Sequence, residues 1–148
     1  MRTLADLQNL PDISPLMQTL QDMKGENSVQ LALLYGSFAI GAEHCRSDID
    51  LAIALSPQLQ EKEFDIIDRI LMSSERHISI LRLDDEDESP LIVQESLKGI
   101  HLIEPDRDVY YKAAHWALHE SESIRSRREF RNTISSFGDA VKTAGILP

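Results

Sequence analysis

Hydrophobic and polar residues alternate along the chain in blocks that switch between strand-like and helical spacing. SVQLALLYG (28–36) is a compact apolar run that ends at a glycine, which is typical of a buried strand. DIDLAIAL (48–55) and HISILRL (77–83) begin with alternating polar and apolar residues and predict two further strands. IHLIE (100–104) predicts a short fourth strand. The pattern therefore predicts a small sheet.

Segments with helical spacing separate these predicted strands. Two short helices are predicted before residue 26, where leucines recur at helical intervals and prolines interrupt the pattern. EKEFDIIDRILMSS (61–74) predicts a helix with an apolar stripe at positions 64, 66, 67, 70 and 71. SPLIVQESLKG (89–99) predicts another, with Ser89 as its N-cap, Pro90 as its first residue and Gly99 just past its end. This alternation of helices and strands favours an α/β fold.

The last part of the chain predicts one long helix. Between Asp106 and about residue 144, Gly138 is the only strong helix breaker. The apolar positions shift in phase near Arg127 and Arg128. We therefore expect one part of this helix to pack on the protein and another part to face a partner.

Two groups of side chains on this helix have competing interpretations. One is a basic cluster formed by Arg125, Arg127, Arg128 and Arg131. We favour a solvated face paired with glutamates three and four residues away, and the alternative is a docking surface for a partner helix or for phosphates. The other group is Tyr110, Tyr111 and Trp116, which packing against the sheet explains better than a binding patch.

Length and composition bound the architecture. The chain of 148 residues is expected to form a single domain (1–148), with a core over about 28–104 and a C-terminal helical segment over about 106–144. Hydrophobic residues make up 42% and charged residues 27%, a balance typical of globular proteins. A chain of this length can bury a core without disulfides or a structural metal.

Charge and targeting signals narrow the function classes. The formal net charge of −10 argues against direct nucleic-acid binding, because an acidic surface repels a phosphate backbone. Cys45 is the single cysteine, so no intramolecular disulfide is expected. The N-terminus lacks a signal-peptide pattern, and no apolar run approaches the roughly 18 to 20 residues that span a bilayer. These features predict a cytoplasmic protein without a membrane anchor. The run DDEDE (84–88) is expected to be a solvated loop, with a peripheral metal site as the alternative.

The candidate chemistry lies in GSFAIGAEHCRSDID (36–50). Side chains at i and i+2 of a strand point to the same face, so Asp48 and Asp50 project together. Paired carboxylates recruit a cation, and Mg²⁺ suits them because it takes one or two carboxylates plus substrate phosphates. The turn at Gly36 allows a phosphate to approach the backbone closely, and the Ser37 hydroxyl can donate to it. These are the parts of a metal-assisted nucleotidyl-transfer site. The alternative is a plain turn beside a solvated strand face.

This stretch resembles the signature of the DNA polymerase β-type nucleotidyltransferase superfamily, a Gly-Ser pair followed after ten residues by Asp-x-Asp. The layout of the whole chain is similar to the minimal nucleotidyltransferase (MNT) proteins that pair with HEPN proteins as antitoxins. The resemblance implies a small mixed β-sheet flanked by helices, with Mg²⁺ as cofactor and ATP as nucleotide substrate. It also implies that Gly36 and Ser37 hold the triphosphate, while Asp48 and Asp50 are catalytic and ligate Mg²⁺.

The function implied by this resemblance is transfer of AMP from ATP to a hydroxyl of a partner protein, with a HEPN-type toxin as the expected partner. One position departs from the superfamily pattern. The third aspartate, expected on the next strand, aligns with Ser79, which cannot act as a carboxylate base or a strong Mg²⁺ ligand. His77 could substitute as the base, although a lone strand histidine is more often structural. The alternative function is therefore a catalytically degenerate antitoxin that binds its toxin without modifying it.

Overall fold

A mixed four-stranded sheet organises the computed structural model, which describes residues 1–143 except the side chains at 60, 129, 130 and 132–143. The strands are β1 (Val29–Tyr35), β2 (Ile49–Leu55), β3 (Ile78–Arg82) and β4 (Ile100–His101). They lie in the order β3-β2-β1-β4, with β1 antiparallel to β2 and β4, and β2 parallel to β3. The predicted α/β class with a small mixed sheet is confirmed.

Helices cover both faces of this sheet. In the described part of the chain they are α1 (Leu4–Gln8), α2 (Ser14–Gly25), α3 (Ser37–Ile40), α4 (Glu63–Leu71), α5 (Pro90–Ser96) and α6 (Arg107–Thr143), with a 3₁₀ helix at Pro57–Lys62. One face of the sheet packs with α1, α2, α3 and α4, and the other packs with α5 and the first half of α6. Because both faces are covered, β1 and β2 are buried along almost their whole length and consist mainly of apolar residues.

Two of the predicted helices differ from the pattern in detail. The apolar stripe of α4 is narrower than expected, because Ile66 and Ile70 are buried while Phe64 and Leu71 are exposed. Ser89 is the N-cap of α5 by position, but its side chain makes no capping hydrogen bond. Gly99 serves packing rather than capping, since a Cβ there would overlap the carbonyl oxygen of Leu34 in β1.

The long C-terminal helix is confirmed. Asp106 Oδ1 accepts a hydrogen bond from the Val109 N–H at 3.2 Å and so caps its first turn. Ala113, Ala117 and Ser121 are buried, whereas Arg125 is exposed, so the first half of the helix packs on the protein. The predicted helix ends at about residue 144, which lies outside the described residues. The side chains at its predicted apolar positions after Arg128 are also outside the described part.

The aromatic residues at the start of α6 divide into two kinds. Tyr110 is half-buried and donates its hydroxyl to the Leu97 carbonyl at 3.0 Å, and Trp116 packs against the apolar residues of α5 and the sheet. Core packing explains both, as predicted. The same prediction is wrong for Tyr111, which is 66% exposed.

None of the described helices combines the length and the hydrophobicity that a membrane-spanning helix needs.

Candidate functional site

The Gly-Ser turn lies at the end of β1 and directly against β2. Gly36 adopts φ +73° and ψ −153°, a backbone conformation that side chains other than hydrogen rarely tolerate, and Ser37 begins α3. A Cβ on Gly36 would overlap Asp50 Oδ2 and lie 3.1 Å from the Asp50 carboxyl carbon. The turn and the carboxylate, 14 positions apart in the sequence, are therefore in direct contact.

Asp50 occupies the middle of this strand end. Its register partners are Tyr35 in β1 and Ser79 in β3, so all three side chains share one face of the sheet. The Asp50 side chain is half-buried, and this burial, together with the charge of Asp48, raises its pKa. Burial of Tyr35, together with the charges of Asp50 and Glu88, likewise raises the pKa of the Tyr35 hydroxyl. The site therefore holds negative charge that is only partly solvated.

Asp48 lies one residue before β2 and is more open to solvent. Its side chain is 52% exposed, and its Oδ1 lies 3.4 Å from Nδ1 of the exposed His77. The pairing of Ser79 with Asp50 supports the alignment that puts Ser79 at the third-aspartate position. Gly36, Ser37, Asp48 and Asp50 thus converge at one end of the sheet.

The donor set of this site suits a metal held jointly with a substrate. Among the side chains that the structure describes, no group of three or more histidines, cysteines, aspartates or glutamates is arranged to hold a metal ion. Two carboxylates remain, at Asp48 and Asp50. Mg²⁺ is commonly bound by one or two carboxylates plus phosphate oxygens and water, so the pair fits a Mg²⁺-nucleotide complex better than a metal enclosed by protein alone.

In the acidic run at 84–88, Glu88 lies near enough to Tyr35 to raise the pKa of its hydroxyl, whereas Asp84 and Asp85 make hydrogen bonds within or next to the run. Residues 84–87 are exposed, and Asp84 accepts hydrogen bonds from Arg82 at 3.1 and 2.8 Å. Asp85 Oδ1 accepts from the Asp87 N–H at 2.9 Å. These contacts favour the solvated-loop interpretation over a peripheral metal site.

Two arginines that the sequence reasoning missed hold the backbone around the Gly-Ser turn. Arg2 donates from Nη1 to the Phe38 carbonyl at 2.9 Å and pairs with Glu43. Arg76 lies beside Asp48 in a cleft of about 380 Å³ and contacts the loop that precedes β2. Neither arginine belongs to a local motif, and their long-range side-chain contacts span 29 to 64 positions, so the pattern of a short segment does not reveal them.

A larger cavity lies at the opposite end of the sheet. Its volume is about 600 Å³, and its lining includes Leu55, Arg82 and Trp116. Because Leu55 and Arg82 end β2 and β3, this cavity is separated from Asp48 and Asp50 by the length of the strands. A choice of site by cavity volume alone would therefore select this cavity and not the cleft beside Asp48.

Comparison of the sequence with known families identifies one domain type. The profile described as "Polymerase beta, Nucleotidyltransferase" matches residues 18–108, more than half of the chain. No curated protein matches the chain in sequence.

Several solved structures share the fold. A crystal structure of a toxin-antitoxin with AMP-PNP is 17% identical, with a TM-score of 0.60 over 81% of this chain and 98% of that chain. A toxin-antitoxin MntA-HpeT structure with a tyrosine-to-alanine mutation is 18% identical, with a TM-score of 0.59 over 83% and 96%. A second MntA-HpeT mutant, with two aspartates changed to glutamate, is 15% identical, with a TM-score of 0.58 over 81% and 98%. At these identities the likeness is one of fold. By its sequence profile, the chain belongs to the polymerase beta nucleotidyltransferase family.

Proposed function

We propose that this protein transfers AMP from ATP, with Mg²⁺, to a hydroxyl group of a partner protein, and that the partner is a HEPN-type toxin for which it is the antitoxin. One observation carries the proposal above the others. The Gly36 turn packs directly on the Asp50 carboxylate, with Asp48 two residues away, and this proximity supports one site in which the turn would hold a phosphate and the pair a metal ion. Membership of the nucleotidyltransferase family supports the same chemistry.

Each residue of the site has a distinct role in this proposal. The Gly36 backbone and the Ser37 hydroxyl hold the triphosphate, and Asp48 and Asp50 hold Mg²⁺. When bound, Mg²⁺ offsets phosphate charge and stabilises the attacking and leaving oxygens. The acceptor oxygen forms a bond to the α-phosphorus as the bond to the bridging oxygen breaks, and pyrophosphate leaves. The acceptor proton passes to a base, for which His77 beside Asp48 is the candidate.

The partner is inferred from fold neighbours and from charge. The similar structures are toxin-antitoxin structures, and one of them was solved with AMP-PNP, a nucleotide of the ATP type. The net charge of −10 suits contact with a basic protein, as a ribonuclease toxin of the HEPN type would be. The exposed arginines at 125, 127 and 128 of α6 carry the opposite charge and would instead meet acidic groups of the partner.

A second candidate function rests on Ser79. Ser79 is exposed and is the register partner of Asp50 in the neighbouring strand, at the position where the superfamily pattern has an aspartate. Losing a general base lowers a rate by about 10²- to 10⁴-fold. A protein with this defect could still bind nucleotide and still cover its toxin. The second candidate is therefore an antitoxin that acts by binding alone.

The test is an incubation of the purified protein with the protein encoded beside it, Mg²⁺ and ATP labelled at the α-phosphate. We expect label on the partner with wild type and none with Asp48→Asn plus Asp50→Asn. The matched control is Asp65→Asn plus Asp68→Asn, two exposed aspartates on α4. If control and site variants label the partner equally, transfer by this site is excluded.

A gain-of-function variant separates the two candidates. If only the base is missing, Ser79→Asp raises the transfer rate by about 10²- to 10⁴-fold. If neither wild type nor Ser79→Asp labels the partner, and the double aspartate variant still neutralises the toxin, the protein acts by binding and the enzymatic proposal fails.

A further inference from the structure

The loop that carries Asp48 into the site has few contacts of its own. It runs from Gly41, which ends α3 with φ +79°, to Asp48, which precedes β2. Its internal hydrogen bonds join His44 and Ser47, by Ser47 N–H to His44 carbonyl at 3.0 Å and His44 N–H to Ser47 Oγ at 2.9 Å. These bonds shape a turn but do not attach it to the rest of the protein.

Arg76 attaches this turn, residues 44–47, to the rest of the protein, while Glu43 near the start of the loop pairs with Arg2. Its Nη1 donates to the carbonyl oxygens of His44, Cys45 and Ser47 at 3.3, 3.2 and 3.1 Å. Its Nε donates to Asp12 Oδ2 at 3.0 Å, between α1 and α2. The side chain is 24% exposed, so these bonds are partly shielded from water. One guanidinium therefore joins the Asp48 loop to the N-terminal helices.

The guanidinium of Arg76 also contacts Phe38, which lies next to the Gly36-Ser37 turn. Its carbon lies 5.2 Å from the centre of the Phe38 ring, within the range of a cation–π contact. Phe38 follows Ser37, and Ser47 precedes Asp48. Arg76 thus contacts the immediate neighbours of both the phosphate-binding turn and the metal-binding pair.

The chemistry of these contacts is specific to arginine. A guanidinium presents five N–H donors in a rigid planar fork, which matches several carbonyls and a carboxylate at once. A lysine ammonium keeps the charge but not this fork, and a glutamine keeps neither. Hydrogen bonds from a charged donor to carbonyl oxygens are also stronger than neutral ones.

We propose that Arg76 is a positioning residue of the nucleotide site, which fixes Asp48 and the Gly36-Ser37 turn relative to each other. The inference rests on the proposed function, because it concerns the same Mg²⁺ and nucleotide. Arg76 touches neither; it acts through the backbone carbonyls of the Asp48 loop. Residues that orient metal ligands in this way typically change metal affinity or activity by about 10- to 100-fold when they are replaced.

The experiment compares Arg76→Gln and Arg76→Lys with wild type by three measurements. Binding of Mg²⁺ with AMP-PNP is measured by calorimetry, hydrogen exchange is followed at the His44 and Ser47 amides, and Tm monitors the fold. We expect Arg76→Gln to bind about 10- to 100-fold more weakly and to exchange faster at both amides. Arg76→Lys is expected to lose less affinity, because it keeps the charge.

Arg69→Gln is the matched control. Arg69 is an exposed arginine on α4 that pairs with Glu26 at 3.1 Å, away from the site. We expect it to leave affinity and exchange at wild-type values. If Arg76→Gln exchanges faster but binds as wild type does, Arg76 is only structural and the inference fails alone. If wild type itself does not bind Mg²⁺ with AMP-PNP, the proposed function fails instead.

Discussion

Carboxylate side chains lie at both ends of the paired strands β2 and β3. The two ends differ in whether these carboxylates form ion pairs with an arginine. At the carboxyl end, Glu63 and Asp84 share Arg82, which pairs with the first and donates to the second at 2.8 Å. At the amino end, Asp48 has only the His77 contact, and among the described residues neither Asp48 nor Asp50 pairs with an arginine or lysine. The carboxylates at one end pair with an arginine, whereas the described contacts of the pair at the other end include no arginine or lysine.

The protonation equilibria of the two ends follow this difference. Burial opposes the charge of Arg82, but hydrogen bonds to Asp84 and Glu63 outweigh it and raise the pKa of the guanidinium. At the other end, burial and the charge of Asp48 raise the pKa of Asp50, which disfavours its charged form. Two neighbouring carboxylates that pair with no arginine or lysine repel each other in the free protein, and a bound cation would offset this repulsion. The contrast supports the proposal that Arg82 stabilises one end of the strands while the other end is available to bind a cation.

The largest effect is expected from Gly36→Ala, which would force a side chain into the amino end. The positive φ at Gly36 and the overlap with Asp50 Oδ2 both oppose a Cβ. We expect a loss of about 1–3 kcal/mol in the free energy of unfolding, and about a 10- to 100-fold loss of Mg²⁺-AMP-PNP affinity, because the added Cβ would displace the Asp50 carboxylate. Denaturant unfolding and calorimetry measure the two quantities.

Gly25→Ala is the control for that substitution. Gly25 ends α2, and a Cβ there meets nothing within 4 Å. We expect unchanged nucleotide affinity and equal or slightly greater stability, because alanine favours a helix. If Gly36→Ala behaves like Gly25→Ala, the close contact between turn and carboxylate does not exist in solution.

At the carboxyl end, Arg82→Gln is expected to have a smaller effect, which changes stability but not nucleotide affinity. The Arg82 side chain is 20% exposed, and Glu63 and Asp84 are 37% exposed, so each pair is partly screened by water. We expect a loss of about 1 kcal/mol in unfolding free energy with unchanged Mg²⁺-AMP-PNP affinity. A loss of affinity in this variant would show that the two ends are coupled, which contradicts the comparison.

The smallest effect is a gain in stability from Asp50→Asn. The folded-state pKa of Asp50 lies above the usual value of 3.8, so the folded state binds more protons than the unfolded state between these two pKa values. Wild-type stability therefore falls as pH rises through this window. The asparagine variant lacks this loss and should be about 0.5 kcal/mol more stable at pH 7.

The pH dependence of that gain distinguishes its cause. The difference in Tm between Asp50→Asn and wild type should shrink as pH falls towards 3.8 and Asp50 becomes protonated. Asp84→Asn is the counterpart at the other end and should lower Tm at pH 7, because it breaks the pair with Arg82. If Asp50→Asn is less stable than wild type at pH 7, its charge is compensated in a way that the structure does not show.

Much of the fold could be predicted because its signals are local. The apolar runs of β1 and β2 reflect burial on both faces, and the Gly-Ser and Asp-x-Asp spacing identified the family. The placement of Ser79 at the third-aspartate position also came from the pattern of β3, and its register beside Asp50 agrees. The single-domain boundaries and the roles of the four site residues stay predictions.

The remaining features depend on contacts between distant segments. Phe64 fits the helical stripe of α4 but is 88% exposed, so the spacing of apolar residues does not show which of them the tertiary structure covers. Arg76 bonds to residues 29 to 64 positions away, so its neighbours in the sequence carry no trace of its partners. Gly99 resembles a helix cap, yet its role is set by the approach of β1.

The loop that Arg76 holds contains Cys45, whose carbonyl accepts from Arg76 at 3.2 Å while its residue remains exposed. It is the only cysteine in the chain. A thiol-reactive fluorophore would therefore attach at one position, three residues before Asp48, without any engineered substitution. The unmodified sequence supplies its own labelling point for testing whether this loop moves when the proposed nucleotide or partner protein is added.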